Sequence, residues 1–247
     1  MGADSEVFSV ASSPAVLGGL SIKSRQKIRG QGAHGADVFT VYGHTLLVVP
    51  SYYGCGQKPQ NGPRESWKCR STAVFEWRDV LDSFVEIATL GTHGPAQTDH
   101  YTDQHGHTFL VVGENFANEI TIWRVDERSA GNNDIGYNPL SFTKVHTLPV
   151  AGAGSMAIFL GPPDGPFATA RGEIYIAATS YHDPRTGWQT KTPIFKLATG
   201  SHANEQSFQQ IQLLDSVGPH DAVRIRLSRH TASCVASYTP SALEREN

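Results

Sequence analysis

Histidine offers the most chemistry in this sequence, which has 11 histidines among its 247 residues. Imidazole nitrogens bind zinc and other transition metals, and a ring of them around one axis can hold an ion. His34, His93 and His220 lie near glycine-containing turns at corresponding places in three segments of the chain. They are therefore candidate metal ligands. The alternative is that they are turn residues that hydrogen-bond only the backbone.

A second group combines acids with imidazoles, because Asp99-His100 is followed closely by Asp103 and His105. Paired acid and imidazole groups can perform general acid–base catalysis. The alternative is a polar hairpin between two strands. The chain has no GxSxG elbow, P-loop, HExxH or EF-hand pattern. The sequence therefore predicts no catalytic residues, no cofactor and a protein that is not an enzyme. A metal-binding or hydrolytic enzyme that uses clustered His and Asp is the alternative.

Aromatic side chains in long segments between predicted strands form a third group: Tyr52, Tyr53, Trp67, Tyr181 and Trp188. Exposed aromatic residues on loops are common energetic centres of protein interfaces. The alternative is that each ring packs over its own loop. As a set, these residues predict a loop surface that binds a protein partner.

Composition excludes several classes of protein. The hydrophobic fraction is 39% and the charged fraction 17%, which fits neither a disordered chain nor a membrane protein. A formal net charge of −3 argues against a nucleic-acid partner. No apolar stretch approaches the ~20 residues of a membrane-spanning helix. Residues 1–10 carry acids and no apolar core, so we expect no signal peptide there, and the sequence leaves the compartment open.

Three cysteines leave the redox state open. Cys55 and Cys69 lie in one segment rich in Gly and Pro. A disulfide between them would stabilise the fold by roughly 3 kcal/mol if it formed without strain, and two free thiols are the alternative. Cys234 lies in an apolar run typical of a buried strand.

The elements that must position these residues recur along the chain. Residues 43–49 and 106–112 share the pattern Gly-His-Thr-x-Leu-Val-Val at an offset of 63. Short runs rich in Val, Ile, Phe and Tyr, divided by Gly, Pro, Asn and Asp, indicate strands and turns throughout. The repeats cover approximately residues 20–78, 79–126, 140–198 and 206–237, and a separate strand covers residues 6–10.

This pattern predicts an all-β protein with almost no helix. Four-stranded repeats of this length are typical of β-propeller blades, so we expect a propeller of four-stranded antiparallel blades, four of them in this chain. The fourth repeat lacks its last strand, and residues 6–10 precede the first repeat. Two interpretations stay open. Either the N-terminal strand closes a ring, or the chain is a fragment of a larger propeller.

The repeat resembles the EAR (epilepsy-associated, or EPTP) repeat, whose pattern combines F-x-x-x-Q-x-I, a Gly-Ala turn with an acidic residue, an aromatic residue and G-x-x-L-V-V-A. The matching positions are Gln26, Ile28, Gly32, Ala33, Asp37, Phe39, Gly43, Leu46, Leu47, Val48, Val49, Phe84, Ile87, Gly91, Leu110, Val111, Phe142, Leu148, Gly152, Ala153, Phe159, Ile176, Phe208 and Ile211. The resemblance implies a propeller and an extracellular protein that binds other proteins. The leading hypothesis is a non-enzymatic interaction module, and a truncated fragment without independent function is a further alternative.

Overall fold

The computed structural model describes residues 5–13, 19–28, 33, 35–53, 68–128, 139–161, 173–183, 185–199, 206–227 and 230–237. The described residues form sixteen strands: β1 (Ser5–Ser13), β2 (Gly19–Ile28), β3 (Asp37–Val41), β4 (His44–Tyr53), β5 (Lys68–Arg78), β6 (Ser83–Gly91), β7 (Pro95–Thr102), β8 (Thr108–Glu114), β9 (Glu119–Glu127), β10 (Leu140–Pro149), β11 (Ala153–Gly161), β12 (Glu173–Ser180), β13 (Gln189–Thr199), β14 (Gln206–Val217), β15 (Pro219–Leu227) and β16 (His230–Ser237). One 3-10 helix, Asp79–Leu81, joins β5 to β6.

These strands form three four-stranded antiparallel sheets and two hairpins. The first sheet contains β3 to β6, the second β7 to β10 and the third β11 to β14, each in chain order. The N-terminal hairpin is β1 with β2, and the C-terminal hairpin is β15 with β16. The predicted all-β class is therefore confirmed, as is the repetition of four-stranded antiparallel sheets.

The central sheets are buried on both faces, which explains their continuous apolar runs. All seven residues of β8 are buried. Phe109 and Val111 belong to a core cluster shared with the third sheet, whereas Leu110 and Val112 belong to one shared with the first sheet. Because neighbouring side chains of a strand point to opposite faces, a strand between two other sheets needs apolar residues at every position.

The N-terminal hairpin covers the other face of the first sheet. Ile28 of β2 packs with Leu47, Val49 and Phe75, and Val7 of β1 packs against the same cluster. The side-chain amide of Gln26 donates from Nε2 to the carbonyl of Phe84 and accepts its N–H at Oε1, both at 2.8 Å. The hairpin is thus held to the first sheet by apolar contacts and by paired hydrogen bonds.

The first strands of the second sheet, the third sheet and the C-terminal hairpin each lie against the preceding sheet. β7 contacts β3, β4 and β5, β11 contacts β7 and β8, and β15 contacts β11 and β12. Side chains join two of these strands, since Gln97 Oε1 accepts the N–H of Met156 at 2.8 Å and Asp99 Oδ2 accepts that of Ile158 at 3.1 Å. The same spatial relation therefore recurs along the chain.

Aromatic residues at repeat positions contribute to the core between sheets. Phe39, Phe75, Phe109 and Phe195 are buried. Half-buried aromatic residues at the remaining positions include Trp77, Trp123 and Phe159. No helix among the described residues has the length and apolar character to cross a bilayer.

Candidate functional site

One end of the sheets carries most of the loop aromatics predicted to bind a partner. Tyr52 lies at the end of β4, Phe116 in the turn from β8 to β9, and Tyr181 and Trp188 in the connection from β12 to β13. These are equivalent connections, from the second strand of each sheet to the third. They therefore lie at one end, which we call the aromatic end and define by these four half-buried residues.

Two sets of ring contacts build the aromatic end. The ring of Tyr52 lies 4.9 Å from that of Phe116, and its hydroxyl donates to Asn115 Oδ1 at 3.0 Å. The rings of Tyr181 and Trp188 meet edge to face at 4.9 Å. Tyr52 thus packs against the turn of the next sheet, whereas Tyr181 and Trp188 pack within one connection.

Gly152, in the turn from β10 to β11, links these two sets. Its carbonyl accepts the side-chain N–H of Asn115 and the backbone N–H of Tyr181, each at 3.0 Å. Its own N–H donates to Asn118 Oδ1 at 2.8 Å. Three connections from two sheets therefore meet at one glycine, which fixes the aromatic rings relative to one another.

A groove of about 780 Å³ adjoins the connection that carries Tyr181 and Trp188. Most of its lining residues carry hydrogen-bonding side chains, and the rest are apolar; the lining includes Pro149, Val150, Ser180, Asp183, Lys191 and Leu213. Lys191 Nζ lies 2.5 Å from Asp215 Oδ1, which also lines the groove.

The other predicted binding residues are placed only in part. Tyr53 is the last residue of β4, and its side chain is not among those described. Trp67 lies outside the described residues. Phe116 was not singled out in the sequence because its turn is short, yet it occupies the position equivalent to the long connections after β4 and β12.

The structure describes the three candidate metal-binding histidines to different extents. His34 lies outside the described residues, and the side chain of His220 is not described. His93 lies in the turn before β7, where its ring faces the edge of Phe116 at 6.3 Å and its backbone N–H donates to Glu114 Oε2 at 2.6 Å. In the structure His93 therefore belongs to the aromatic end.

A different acid–imidazole group comes together between the first and second sheets. The ligand atoms of Asp37, Asp99 and His100 all lie within 4.8 Å of one another, and each residue is half-buried. Asp37 Oδ2 lies 2.7 Å from His100 Nδ1, and the imidazole stacks on Phe39 at 4.4 Å. We call these three ionisable residues the Asp–Asp–His group.

This arrangement raises the pKa of the Asp99 carboxyl. Burial raises the pKa of its carboxyl, the backbone N–H groups of His100 and Ile158 oppose the rise, and the nearby charge of Asp37 adds to it. Neither Asp37 nor Asp99 forms an ion pair with Lys or Arg among the described residues. The two carboxylates therefore share one imidazole as their described partner of potentially positive charge.

The remaining members of the acid–imidazole stretch are structural. Asp103 Oδ1 accepts the backbone N–H groups of His105 at 2.8 Å and His107 at 2.9 Å. These bonds close the turn between β7 and β8, which is the polar hairpin alternative from the sequence. His44, at the start of β4, lies 2.5 Å from Glu76 through Nδ1 and Oε1, at the end opposite the aromatic end.

No protein-family model matches this chain, and no curated protein matches it by sequence. A function is therefore inferred from the geometry of the aromatic end and of the Asp–Asp–His group.

Proposed function

We propose that the sheets are blades of a β-propeller. The first sheet packs face to face with the second and the second with the third through apolar clusters, and β7, β11 and β15 each lie against the preceding sheet. That recurrence is what radial packing around an axis requires. In this arrangement β3, β7, β11 and β15 are the innermost strands.

The two hairpins supply complementary halves of a fourth blade. β15 and β16 both contact β11 of the third sheet, and the N-terminal hairpin covers the other face of the first sheet. β16 runs towards the aromatic end and β1 runs away from it, so the two can pair antiparallel. Such pairing gives the order β15-β16-β1-β2 and removes two open sheet edges.

Within this architecture we propose a non-enzymatic module that binds a protein partner at the aromatic end, as the resemblance to EAR repeats implies. The observation that carries the proposal is the convergence of Tyr52, Phe116, Tyr181 and Trp188 on one end, on connections joined through Gly152. Half-buried aromatic rings in fixed positions bind at low entropic cost, which is why Trp and Tyr dominate interface energetics.

Trp188→Ala is expected to weaken partner binding by at least about thirtyfold, the effect of losing an aromatic hot spot worth about 2 kcal/mol. A partner identified by proximity labelling is titrated against the wild type and against Tyr52→Ala, Tyr181→Ala and Trp188→Ala, with folding checked by thermal unfolding. Val80→Ala is the matched control, because Val80 is 98% exposed and lies at the opposite end. Unchanged affinity in every aromatic variant, or equal loss in Val80→Ala, contradicts the proposal.

A second candidate function is the binding of a divalent cation by the Asp–Asp–His group. Two carboxylates and an imidazole that converge from β3 and β7 form a mixed oxygen and nitrogen donor set, which suits Zn²⁺ or Mn²⁺. A cation there would offset the repulsion between Asp37 and Asp99. It would also join the first two sheets at their innermost strands.

Zn²⁺ is therefore expected to raise the melting temperature of the wild type at neutral pH. At one hundred times the dissociation constant, binding adds about 2.7 kcal/mol to the free energy of unfolding. The stabilisation should fall as the pH drops, because protons compete for His100 and the carboxylates. His100→Gln and Asp37→Asn should abolish it. The control His105→Gln, at an exposed turn residue, should retain it. Equal Zn²⁺ stabilisation in all variants rules the site out.

A further inference from the structure

Glu114 is a buried carboxylate at the end of β8, next to the aromatic end, and it is 2% exposed. Its Oε1 accepts the hydroxyl proton of Thr121 at 2.5 Å, and its Oε2 accepts the backbone N–H of His93 at 2.6 Å. Among the described residues Glu114 forms no ion pair with Lys, Arg or His. Hydrogen bonds are therefore the direct contacts that hold this buried charge among the described residues.

The hydrogen bonds around Glu114 favour the ionised carboxylate. Trp123 Nε1 donates to Thr121 Oγ1 at 3.1 Å, and the Thr121 hydroxyl in turn donates to Glu114 Oε1. The backbone N–H of His93 is a donor in every protonation state. Both oxygens of Glu114 thus accept from donors, and a proton on the carboxyl weakens these bonds, because a neutral acid accepts less strongly than a carboxylate does.

The His93 bond holds one turn of the aromatic end against another. Gly94 follows His93, has a φ of +63°, and its carbonyl accepts the backbone N–H of Asn115 at 3.0 Å. The ring of Phe116 fills the space beside Gly94, where a Cβ would lie 2.1 Å from Cδ2. Phe116 in turn packs on Tyr52. A change at the His93 N–H therefore reaches the aromatic rings through direct contacts.

We propose that Glu114 is an acid-sensitive anchor of the aromatic end: its carboxylate holds the His93–Gly94 turn against the Asn115–Phe116 turn, and protonation releases that hold. The proposal rests on the proposed function in one respect, since it concerns regulation of the same surface. Proton uptake then shifts Phe116 and Tyr52 and lowers affinity for a partner at acidic pH.

The charged and hydrogen-bonding groups that face Glu114 determine the pH at which it takes up a proton. Burial raises the pKa of Glu114, the bonds from Thr121 and His93 and the charge of Lys144 oppose the rise, and the charge of Glu119 adds to it. Lys144 lies on β10, Glu119 begins β9, and the His93 ring belongs to the facing turn. Proton uptake is therefore expected at a less acidic pH than for an exposed glutamate.

NMR signals recorded across the acidic pH range test the proposal without any partner. In the wild type, four sets of signals should change together in one pH transition: the Trp123 indole N–H, the His93 amide and the ring protons of Phe116 and of Tyr52. Its midpoint should lie above the ordinary range of glutamate. In Glu114→Gln, which is neutral at every pH, that transition should be absent. Glu119→Gln is the control, because Glu119 bonds Lys144 instead, and it should retain the transition.

Two results would overturn the anchor. One is that the Phe116 and Tyr52 signals stay unchanged while the Trp123 indole titrates, and the other is that the same transition persists in Glu114→Gln. If Glu114→Gln does not fold, Thr121→Val serves instead: losing a donor to the anion must move the midpoint to higher pH. Because these signals need no partner, failure of the anchor is distinguishable from failure of the aromatic end to bind protein.

The pH dependence of the free energy of unfolding is an independent measurement, and the sign of that dependence is predicted. The folded-state pKa of Glu114 is raised, so the folded protein binds this proton more tightly than the unfolded chain does. The free energy of unfolding of the wild type, relative to Glu114→Gln, should therefore rise as the pH falls from neutral through the folded-state pKa. A constant difference across that window would mean that burial does not raise the pKa of Glu114 and that the anchor would respond only in the ordinary pH range of glutamate.

Discussion

Gly152→Ala is expected to lower the free energy of unfolding by about 3 kcal/mol and to displace the connection that carries Tyr181 and Trp188. Gly152 has a φ of +55°, which costs an L-residue about 1–2 kcal/mol. A Cβ there would lie 2.2 Å from the backbone oxygen of His182, so backbone must move as well. Such overpacking adds about 1–3 kcal/mol. For a chain of this length, the melting temperature should fall by roughly 6–12 °C.

Gly106→Ala separates the cost of backbone strain from the cost of overpacking. Gly106 also has a positive φ, +85°, but no atom lies within 4 Å of its Cβ position. Only the backbone strain remains, about 1 kcal/mol, or roughly 2–4 °C in melting temperature. Differential scanning calorimetry of both variants checks this expectation. Equal effects would mean that the turn at Gly152 is not packed against the His182 backbone.

Strand positions could be predicted from the sequence because both local and global patterns agree on them. In β8, the run from Phe109 to Val112 is apolar at every position since two sheets cover it. Gly43 and Gly106 mark the turns that precede β4 and β8, and both adopt a positive φ. Local composition alone is sufficient for such elements.

The grouping of strands into sheets could not be predicted. The offset between sequence repeats gives the length of the repeat, but it does not show at which strand each sheet begins. The sequence repeats begin with the strands β2, β6, β10 and β14. In the structure β6, β10 and β14 instead close the sheets begun by the preceding repeats. Hydrogen bonding between strands decides this, and no residue type marks it.

The Asp–Asp–His group was predicted only in part: the sequence singled out Asp99 and His100 but did not place Asp37 beside them, and the reason is spatial. Asp37 and His100 occupy the same repeat position, since 37 plus the offset of 63 is 100, and Asp37 belongs to the family-like pattern. The two residues therefore lie at equivalent places in separate repeats, which does not by itself indicate that they are close in space. Only the packing of β3 against β7 brings the two side chains within 2.7 Å. The buried network around Glu114 was not predicted either, because it depends on the pairing of β8 with β9 and on the turn before β7 within the second sheet.

Closure of the ring by β1 and β16 predicts a large effect on a distant strand. If the two strands pair, removing residues 1–13 takes away the hydrogen-bond partner of β16, more than 200 positions along the chain. Amides of β16 that point away from β15 should then lose at least about a hundredfold in exchange protection, which corresponds to about 2.7 kcal/mol. Val7→Ala, which trims the N-terminal hairpin but keeps its backbone, should leave these amides protected.

Amide hydrogen exchange of β16 in the monomeric wild type, compared with the chain lacking residues 1–13, is the most direct test of the propeller. Successive amides of His230–Ser237 point alternately towards β15 and away from it. A closed ring predicts slow exchange at both sets in the wild type, at a rate independent of protein concentration. It also predicts selective loss at the outward set in the shortened chain. Fast exchange of the outward amides in the wild type, unchanged by the deletion, would contradict closure by β1.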